Sequence, residues 1–476
     1  MTKYDFDLCV IGGGAAGFTA AKLAAGLGKK VVMIDKDRLG GECTWRGCVP
    51  SKALLMSAKI AHLINDNKKY GIDLKQKSAP DCGRVMDSTR AIVQNVYSGH
   101  PPALFEGLGI KVMENTGGGF LDEHTFGTDG GKITSGKFII TAGSSPFVPP
   151  IEGLNKVKYF TNSTIFSIKK LPSSMIILGG GPIGVELASA FNRLGVKVAI
   201  VEMFPSILFR EDRELTDILT KKLADEGIHI ITGAKVVRID SGRKITAVYD
   251  AGGSEKCVKG DIILAAVGRI PNTGGLGLEN IGVDFDNKGI KVDKYLRTSV
   301  RNIYAAGDVA GPYQFSHMAN YQAVLAASNA LLPFKRKADY SHVPWCTFTD
   351  PELARSGLTE EDARKKYGNS VRVYRCPYSD IDRAKTDRTE HGLAKIICSR
   401  DWRILGIHIL GERACELMQE AHLAKTLGIP LNKLDSVTRT YPGYSDVIKQ
   451  VARQAYIDKI RGNMFVRLIG WVRKLL

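Results

Sequence analysis

The segment GGECTWRGCVPSK, residues 40–52, contains the two side chains best suited to chemistry. Cys43 and Cys48 stand there with four residues between them. Two such sulfurs can form a stabilising crosslink, supply half of a metal site, or cycle between dithiol and disulfide during turnover. Zinc would need two further ligands at suitable spacing, and none accompanies the pair in the sequence, so we predict no metal site.

The sequence after Cys48 favours the redox interpretation. VPSKALLMSAKIAHLI is typical of an amphipathic helix, which places Cys48 near a helix N-terminus. The helix dipole and Lys52 favour a thiolate there. Five residues of regular helix advance about 7.5 Å, whereas bonded cysteines keep their Cα atoms within about 6.8 Å. The turn between Cys43 and Cys48 must therefore be distorted, and Gly47 can permit this.

Length and composition limit the class of protein. A chain of 476 residues is too long for a single core and indicates about three domains. The N-terminal sequence MTKYDFDLCVIGGG has no apolar export signal, and no apolar stretch is long enough to span a bilayer. We expect a cytoplasmic protein. Nine scattered cysteines in a reducing compartment do not form a disulfide framework, so a permanent Cys43–Cys48 crosslink is disfavoured.

The net charge of +17 is concentrated at the C-terminus, where the stretch from Lys449 to Leu476 holds seven Lys or Arg and one Asp. Elsewhere we interpret the charge as solvated surface and predict no nucleic-acid partner. Residues 462–476 and the preceding Arg461 read RGNMFVRLIGWVRKLL. Apolar residues recur there at helical spacing among basic ones. This basic amphipathic tail predicts either peripheral contact with the inner face of a membrane or packing on a partner subunit.

A strand, a glycine turn, a helix and a second strand follow one another in FDLCVIGGGAAGFTAAKLAAGLGKKVVMIDKD. Gly12 permits the tight turn, Gly14 lets the backbone approach a pyrophosphate, and Gly17 lets helix pack on strand. The helix N-terminus offers its amides to the phosphates. Asp35, 23 residues after Gly12, can hold ribose hydroxyls.

The same pattern returns in MIILGGGPIGVELASAFNRLGVKVAIVEMF, with Gly179, Gly181, Gly184 and Glu202. Glu202 again follows the first glycine by 23 residues. Two complete units predict two bound dinucleotides. The carboxylate of Glu202 would repel a 2'-phosphate, so we predict NADH over NADPH.

Together with the motifs FIITAGSSPFVP, ILAAVGRIPNT, NIYAAGDVAG and WCTFTDPELARSGLTE, these features resemble the class I pyridine nucleotide-disulfide oxidoreductases, the flavoprotein family of dihydrolipoamide dehydrogenase, glutathione reductase and mercuric reductase. The resemblance runs from about residue 5 to residue 455. It implies an α/β fold with two Rossmann-like dinucleotide-binding domains and a C-terminal α+β interface domain that forms a homodimer. The implied boundaries are 1–148 and 271–338 for the FAD-binding and central parts, 149–270 for the NAD(H)-binding domain, 339–461 for the dimerisation domain and 462–476 for the tail.

The resemblance also implies roles for single residues. FAD would bind the first unit, with Asp35 on its adenosine ribose and Asp308 on its ribityl chain. Hydride would pass from the nicotinamide to the flavin and on to the disulfide, with Cys48 under the flavin and Cys43 attacking the substrate. Lys52 and Glu186 would pair beside the flavin N5. Further implied contacts are Gly119, Thr141, Ala142, Gly143 and His317 for FAD, and Gly268 for NAD.

The sequence departs from the family pattern near its C-terminus. Dithiol-using relatives carry a His-Pro there with a Glu four residues after the Pro, whereas TRTYPGYSDVIKQ has Tyr441 and Asp446. Reduction of a disulfide expels a thiolate that must be protonated, and a phenol is a poor reversible base near neutral pH. A soft metal ion accepts electrons from two thiolates without this proton. The pattern is closest to mercuric reductase-like members that lack the paired-cysteine tail.

The sequence is therefore compatible with three functions. The leading hypothesis is an NADH-dependent FAD enzyme that reduces a small-molecule or protein disulfide, or a related electrophile, through Cys43 and Cys48. The alternatives are a mercuric or other metal-ion reductase and a membrane-associated electron-transfer component. Between the two cysteines, Trp45 either packs over the disulfide or packs on a neighbouring segment, and Arg46 either attracts an anionic substrate or faces that segment.

Overall fold

The computed structural model describes residues 4–74 and 79–462, which divide into two compact units. The first unit contains the described residues up to Leu178 together with Arg238–Thr246 and Lys259–Asp339. The second contains Gly179–Val237, Ala247–Val258 and the described residues from Tyr340 onward.

The helices and strands alternate through much of the chain, as an α/β fold requires. The helices are α1 (Ala15–Gly26), α2 (Gly41–Trp45), α3 (Cys48–Asn65), α4 (Cys82–Ser98), α5 (Pro102–Glu106), α6 (Pro182–Arg193), α7 (Arg213–Asp225), α8 (Ser316–Leu331), α9 (Glu360–Tyr367), α10 (Asp382–Asp387), α11 (Ala414–Thr426) and α12 (Asp446–Gly462). The strands are β1 (Phe6–Ile11), β2 (Val31–Ile34), β3 (Ile110–Met113), β4 (Gly118–Asp122), β5 (Thr125–Thr128), β6 (Gly131–Ile140), β7 (Ser144–Pro146), β8 (Tyr159–Phe160), β9 (Ser174–Leu178), β10 (Lys197–Val201), β11 (His229–Ile231), β12 (Lys235–Asp240), β13 (Ile245–Asp250), β14 (Glu255–Gly260), β15 (Ile262–Ala265), β16 (Arg269–Pro271), β17 (Phe285–Asp286), β18 (Gly289–Ile290), β19 (Ile303–Ala305), β20 (Pro344–Thr347), β21 (Glu352–Gly357), β22 (Arg372–Pro377), β23 (Leu393–Cys398) and β24 (Ile404–Gly411).

The main sheet of the first unit is parallel around β1, with strand order β3-β2-β1-β6 and β19 also paired to β6. Strands β4 and β5 extend it in antiparallel fashion beyond β6. The four residues of β2 are all buried, as expected for a parallel strand that is covered on both faces. The carboxyl ends of β1 and β2 therefore meet at one edge, where the first glycine turn and Asp35 follow.

Small side chains bring α1 and α8 together above this sheet. Ala20, Ala21 and Ala24 of α1 and Ala323 and Ala327 of α8 belong to one buried cluster. Alanine leaves little volume between the helices and loses no side-chain entropy in a helix. This packing holds the N-terminal ends of both helices close to the carboxyl ends of the strands.

The rest of the first unit contains smaller sheets. Strands β8 and β9 flank β15 in parallel pairing. Strand β16 pairs antiparallel with β7, which joins the AVGRIPNT and TAGSSP motifs because each motif contains one of the two strands. In the second unit β10 pairs in parallel with β11, and α6 precedes β10 in the chain.

The later part of the second unit is an antiparallel sheet with strand order β20-β21-β24-β23-β22. A buried cluster on this sheet includes Met418 and Ala421 of α11 and Val447, Val451 and Ala455 of α12. The two helices thus cover one face of the sheet, which is an α+β arrangement.

A row of basic residues crosses this sheet. His408 of β24 is in register with Arg355 of β21 and Lys395 of β23, and all three are buried. The ammonium of Lys395 lies 2.8 Å from a carboxylate oxygen of each of three acids, Asp212, Glu214 and Glu360. Burial, and then the charge of Arg355, lowers the pKa of His408 to about 4. His408 is therefore neutral at physiological pH.

The predicted α/β class is confirmed, and so is the helix that begins at Cys48. Within residues 4–74 and 79–462, no helix is both long and apolar enough to cross a membrane. The predicted amphipathic tail lies outside the described residues beyond Gly462. The predicted domain boundaries stay predictions.

Candidate functional site

The predicted dithiol is assembled where α2 ends and α3 begins in the first unit. Cys43 lies on α2 and Cys48 is the first residue of α3. The two side chains are hydrogen-bonded to each other as thiols. The Cys48 sulfur also lies 3.7 Å from the hydroxyl of Ser316, the first residue of α8. Two thiols in contact, with Cys48 exposed, can open and close a disulfide.

Gly47 makes the approach of the two cysteines possible. The helix stops at Trp45 and resumes at Cys48, and Gly47 adopts φ −125° and ψ −112° between them. A Cβ atom on Gly47 would lie 3.1 Å from the Glu42 carbonyl oxygen and 3.3 Å from the Cys43 Cα. The distortion that the cysteine spacing demanded is therefore confirmed, and it depends on the missing side chain of Gly47.

The electrostatics of the pair are asymmetric. The hydrogen bond with Cys48, followed by burial, raises the pKa of the Cys43 thiol. The proton thus stays on Cys43 and is directed at the Cys48 sulfur. Cys48 lies at the N-terminus of a helix of 18 residues, whose dipole favours negative charge on its sulfur. Charge developing in the dithiol is therefore stabilised at Cys48.

Trp45 and Arg46 pack on neighbouring segments. The indole of Trp45 donates to the Leu39 carbonyl at 2.7 Å and contacts the ring of Tyr97 at 4.6 Å between centroids. The guanidinium of Arg38 lies 3.3 Å from the centre of the same indole. Arg46 is paired with Asp37 at 2.8 Å. The packing interpretation of both residues is supported, because their polar groups are engaged by this neighbouring segment.

The first glycine turn has the shape of a phosphate cradle. Gly12 has φ +112°, and a Cβ there would lie 2.3 Å from the Thr141 carbonyl oxygen. A Cβ on Gly17 would lie 1.9 Å from the Gly12 carbonyl oxygen, which holds α1 against the turn. No described side chain caps the N-terminus of α1 at Gly14. The amides at this end remain suited to an anionic group such as the FAD pyrophosphate.

The acids that follow the two turns make the same hydrogen bonds. Asp35 accepts the amide of Gly13 at 2.5 Å and that of Asp37 at 2.8 Å. Glu202 accepts the amide of Gly180 at 2.5 Å and that of Phe204 at 2.8 Å. Each carboxylate oxygen keeps a second lone pair for a ligand hydroxyl. Burial raises the pKa of Asp35.

The second turn matches the first in conformation. Gly179 has φ +103°, and its amide donates to the carbonyl of Val201 at 2.9 Å. No described side chain caps α6 at Gly181, and Pro182 begins the helix. Gly184 is buried in the first turn of α6. This end of the second unit can therefore receive a second pyrophosphate.

A polar network at Asp308 connects three separated motifs of the first unit. The hydroxyl of Ser144 donates to Asp308 at 2.6 Å, and Arg269 donates to the Ser144 hydroxyl at 2.8 Å. Arg269 also lies 3.5 Å from Glu42, the residue that precedes Cys43. Burial raises the pKa of Asp308, while Ser144 and Arg269 oppose the increase.

Glu42, Ser144 and Arg269 were not among the residues predicted from the sequence. Glu42 further accepts hydrogen bonds from Asn162 at 2.8 Å and Ser163 at 2.9 Å. These bonds hold the segment of α2 that carries Cys43. Each of these three residues lies inside one of the motifs quoted from the sequence, so the motifs pointed to the right segments. The sequence does not show which of these motifs contact one another.

The remaining predicted FAD residues lie in the first unit. Thr141 is buried and its hydroxyl donates to the Gly12 carbonyl at 2.8 Å. Asn272 donates to the Ala142 carbonyl at 2.8 Å. Gly143 has φ +71° with open space where a Cβ would stand. Thr141 and Ala142 thus hold the backbone of the turn, while Gly143 leaves room beside it.

Three further predicted cofactor residues, Gly119, His317 and Gly268, lie in the first unit outside the first glycine turn. Gly119 of β4 packs closely on the backbone of residues 275–277. His317 lies in the first turn of α8 beside Ser316 and stacks on Phe315 at 5.4 Å. Gly268, predicted for NAD, has φ +142° and belongs to the first unit rather than to the second. Their roles stay predictions.

Lys52 lies on α3 one turn after Cys48, which orients both toward one side of the helix. Glu186 lies on α6 of the second unit, is 4% exposed, and accepts the amide of Phe348 at 2.9 Å. Because the two residues belong to different units, their predicted pairing stays a prediction.

Tyr441 is 72% exposed, and its hydroxyl donates to Asp382 at 2.9 Å. This hydrogen bond raises the pKa of Tyr441 above its ordinary value. Asp446 begins α12, and its nearby charge also raises the pKa of Tyr441. Tyr441 is therefore a proton donor and remains protonated at neutral pH.

Across the described parts of the chain, no cluster of three His, Cys, Asp or Glu side chains has the proximity that a metal site requires.

Comparison with known proteins agrees with this geometry. Residues 6–327 match the family model described as pyridine nucleotide-disulphide oxidoreductase, and residues 343–452 match the dimerisation domain of that family. Mercuric reductase from Staphylococcus aureus is 33% identical over 451 residues, covering 94% of this chain and 82% of that protein. A dihydrolipoyl dehydrogenase from Bacillus subtilis is 34% identical over 420 residues, covering 87% and 91% of the two chains.

Solved structures show the same fold. The HOCl-induced flavoprotein disulfide reductase RclA from Escherichia coli superimposes with a TM-score of 0.83 at 30% identity, covering 94% of this chain and 99% of that one. A Cu(II) complex of RclA is similar to the same degree, with a TM-score of 0.83 at 30% identity over 93% and 98% of the chains. The chain therefore belongs to the pyridine nucleotide-disulphide oxidoreductase family of flavoproteins.

Proposed function

We propose that this protein is an NADH-preferring, FAD-dependent oxidoreductase that delivers two electrons through Cys43 and Cys48 to a thiol-reactive acceptor. The observation that carries the proposal is the dithiol itself. Two thiols in contact lie at the start of α3, in the unit that also contains the first dinucleotide turn and Asp308.

The first unit fits FAD. The turn from Gly12 to Gly17 and the uncapped start of α1 would hold the pyrophosphate, Asp35 the adenosine ribose and Asp308 the ribityl hydroxyls. When bound, FAD supplies the two-electron relay between a nicotinamide and a dithiol. The glycines contribute close backbone approach, and the buried carboxylates contribute hydrogen-bond acceptors.

The second turn supports NADH. Glu202 is 6% exposed, and its oxygens already accept two backbone amides beside Gly180. A 2'-phosphate placed there would face a buried negative charge. An unphosphorylated ribose would instead donate its hydroxyls to the same carboxylate.

The two cysteines have different tasks. Cys48 holds the negative charge at the helix N-terminus, and Cys43 attacks the acceptor. Because Cys43 retains its proton through the bond to Cys48, it becomes nucleophilic only when that proton is released. Glu42 is the positioning residue that keeps its segment of α2 bonded to Asn162 and Ser163.

The test is an anaerobic titration with NADH of the purified flavoprotein, recorded in the visible spectrum. Wild type and Cys43→Ser should develop the long-wavelength absorption of a thiolate lying against the flavin, whereas Cys48→Ser should not. An identical reduced spectrum for wild type and Cys48→Ser would remove the basis of the proposal.

A soft metal ion is the second candidate acceptor, and Tyr441 favours it. Reduction of a disulfide releases a thiolate that a nearby acid must protonate, and that acid must then regain its proton for the next turnover. The raised pKa of Tyr441 makes it a poor group for this exchange of protons near pH 7. Metal reduction does not need this step. The similarity to mercuric reductase and to a Cu(II) complex of RclA supports the same class of substrate.

Substitution of Tyr441 separates the two candidates. If a metal ion is the substrate, Tyr441→Phe should keep NADH-dependent Hg(II) or Cu(II) reduction within about twofold, while turnover of soluble disulfides stays low in both proteins. Tyr441→His should raise disulfide turnover by about 10-fold or more, because an imidazole titrates near neutrality. Efficient disulfide turnover by wild type, without metal reduction, would exclude the metal candidate.

The dimerisation domain that residues 343–452 match indicates a homodimer. Sedimentation velocity should therefore give roughly twice the chain mass of 51.8 kDa. A monomer at micromolar concentration would contradict this part of the proposal.

A further inference from the structure

A second pair of thiols lies in the second unit, outside the catalytic dithiol. Cys346 is on β20, and Cys415 is the second residue of α11. Their side chains are hydrogen-bonded to each other although 68 positions lie between them in the chain. Both residues are partly exposed. The pairing could not be predicted from the sequence, in which the two cysteines are far apart.

The backbone around the pair is well defined. Cys346 is in register with Ala354 of β21, and its thiol also donates to the Thr347 carbonyl at 3.5 Å. The amide of Cys415 donates to the carboxylate of Glu352, also on β21, at 2.9 Å. Two strands and a helix of 13 residues thus carry the two hydrogen-bonded thiols, and regular elements suit a preformed binding site.

Acidic side chains lie near this second pair of thiols. At Cys346 the nearby charges are the carboxylates of Glu352 and Glu186. Negative charge opposes a bare thiolate and attracts a cation. The environment therefore suits bound metal better than nucleophilic sulfur.

We propose that Cys346 and Cys415 form a binding site for a soft, two-coordinate metal cation, separate from the catalytic dithiol. Thiolates select soft ions. Zinc does not fit, because it needs four ligands and the described residues provide no third His, Cys, Asp or Glu that completes a site. A divalent ion such as Hg(II) replaces one proton on each sulfur, giving a neutral bis-thiolate and two released protons, with no change of oxidation state. Glu352 contributes charge and positions Cys415 through its amide.

The binding test uses the full chain with Cys43→Ser and Cys48→Ser, so that the catalytic pair cannot contribute. The protein is equilibrated with Hg(II) in excess glutathione, which removes the ion from single cysteines, then freed of small molecules, and its mercury is counted by mass spectrometry. We expect about one ion per chain, falling about 10-fold when Cys346→Ser or Cys415→Ser is added. Cys257→Ser, at an exposed cysteine elsewhere in the chain, is the matched control and should retain the ion.

A second measurement needs no substitution near the pair. One equivalent of Hg(II) added to the catalytic-pair variant should protect Cys346 and Cys415 together from alkylation by N-ethylmaleimide, while Cys257 remains reactive. Retention of the ion after Cys415→Ser, or independent alkylation of the two cysteines in the presence of Hg(II), would overturn the inference. Bound flavin, read from the visible spectrum, confirms that each variant is folded. The outcome is independent of the acceptor used by Cys43 and Cys48.

Discussion

Asp35 and Glu202 close their respective turns with the same two hydrogen bonds, although one side chain is a methylene longer. In each case one oxygen accepts the amide of the middle glycine and the other accepts the amide two residues after the acid. The acid therefore stabilises the turn, and in the proposed function its remaining lone pairs would accept hydrogen bonds from a ribose. Its negative charge would then favour a ribose hydroxyl over a phosphate.

Replacing Glu202 by Gln tests this discrimination. Glu202→Gln keeps an acceptor oxygen but removes the charge, so the KM for NADH should rise and that for NADPH should fall. The ratio of kcat/KM for the two coenzymes should change by about 10-fold or more, as expected for loss of a charge-assisted hydrogen bond. Steady-state kinetics with both coenzymes gives the ratio.

The matched control is Asp35→Asn in the first unit. It should weaken retention of FAD during gel filtration while the ratio of NADH to NADPH efficiency remains that of wild type. Unchanged coenzyme preference in Glu202→Gln would show that Glu202 does not meet the ribose.

At the scale of elements, the reactive centre depends on the break between α2 and α3. A continuous helix would carry Cys43 and Cys48 too far apart, whereas the interruption at Gly47 allows their thiols to form a hydrogen bond. The start of α8 adds Ser316. The dithiol is therefore a product of helix ends, where polar groups are exposed and local dipoles are strongest.

Gly47→Ala should separate the two sulfurs. The added methyl group would meet the Glu42 carbonyl at 3.1 Å, so α2 must shift by a few tenths of an ångström. We expect disulfide closure and NADH-dependent turnover to fall about 10-fold with FAD still bound. Gly26→Ala is the control, because its Cβ would meet nothing within 4 Å. Equal turnover for the two variants would contradict the role given to Gly47.

At the scale of the whole molecule, stability should depend on pH through the antiparallel sheet. His408 is buried in a row with Arg355 and Lys395. Because its pKa is about 4 in the folded protein and about 6.5 when unfolded, the unfolded chain binds more protons between these values. Stability is therefore full above pH 6.5 and decreases as the pH falls toward 4.

The loss should reach on the order of 2 kcal/mol at pH 5. Thermal unfolding of the holoenzyme at pH 7.5 and pH 5 measures it as a lower midpoint. His408→Gln keeps a donor for the Leu358 carbonyl, which His408 contacts at 2.8 Å, but has no titrating ring. An equal decrease in this variant would assign the pH dependence to other groups.

Contiguous segments carried most of what could be predicted. The glycine turns, the acid 23 residues after each of them, and the helix that begins at Cys48 depend on dihedral preferences and periodicity within about 30 residues, so the sequence alone determined them. The order of the motifs likewise determined the α/β class. The position of Tyr441 in the chain identified it as a departure from the family pattern, but it did not predict which residue Tyr441 contacts.

Tertiary structure decided the contacts between distant segments. Arg269 reaches Glu42, Tyr441 bonds to Asp382, and Cys346 meets Cys415 only because sheets and helices bring these positions together. Periodicity cannot foresee such contacts, since it reports which face of an element is buried and not which element covers it. The chain's own spacing thus determined the two nucleotide turns and the position of the dithiol. Packing decided which polar groups surround that dithiol and created a second thiol pair.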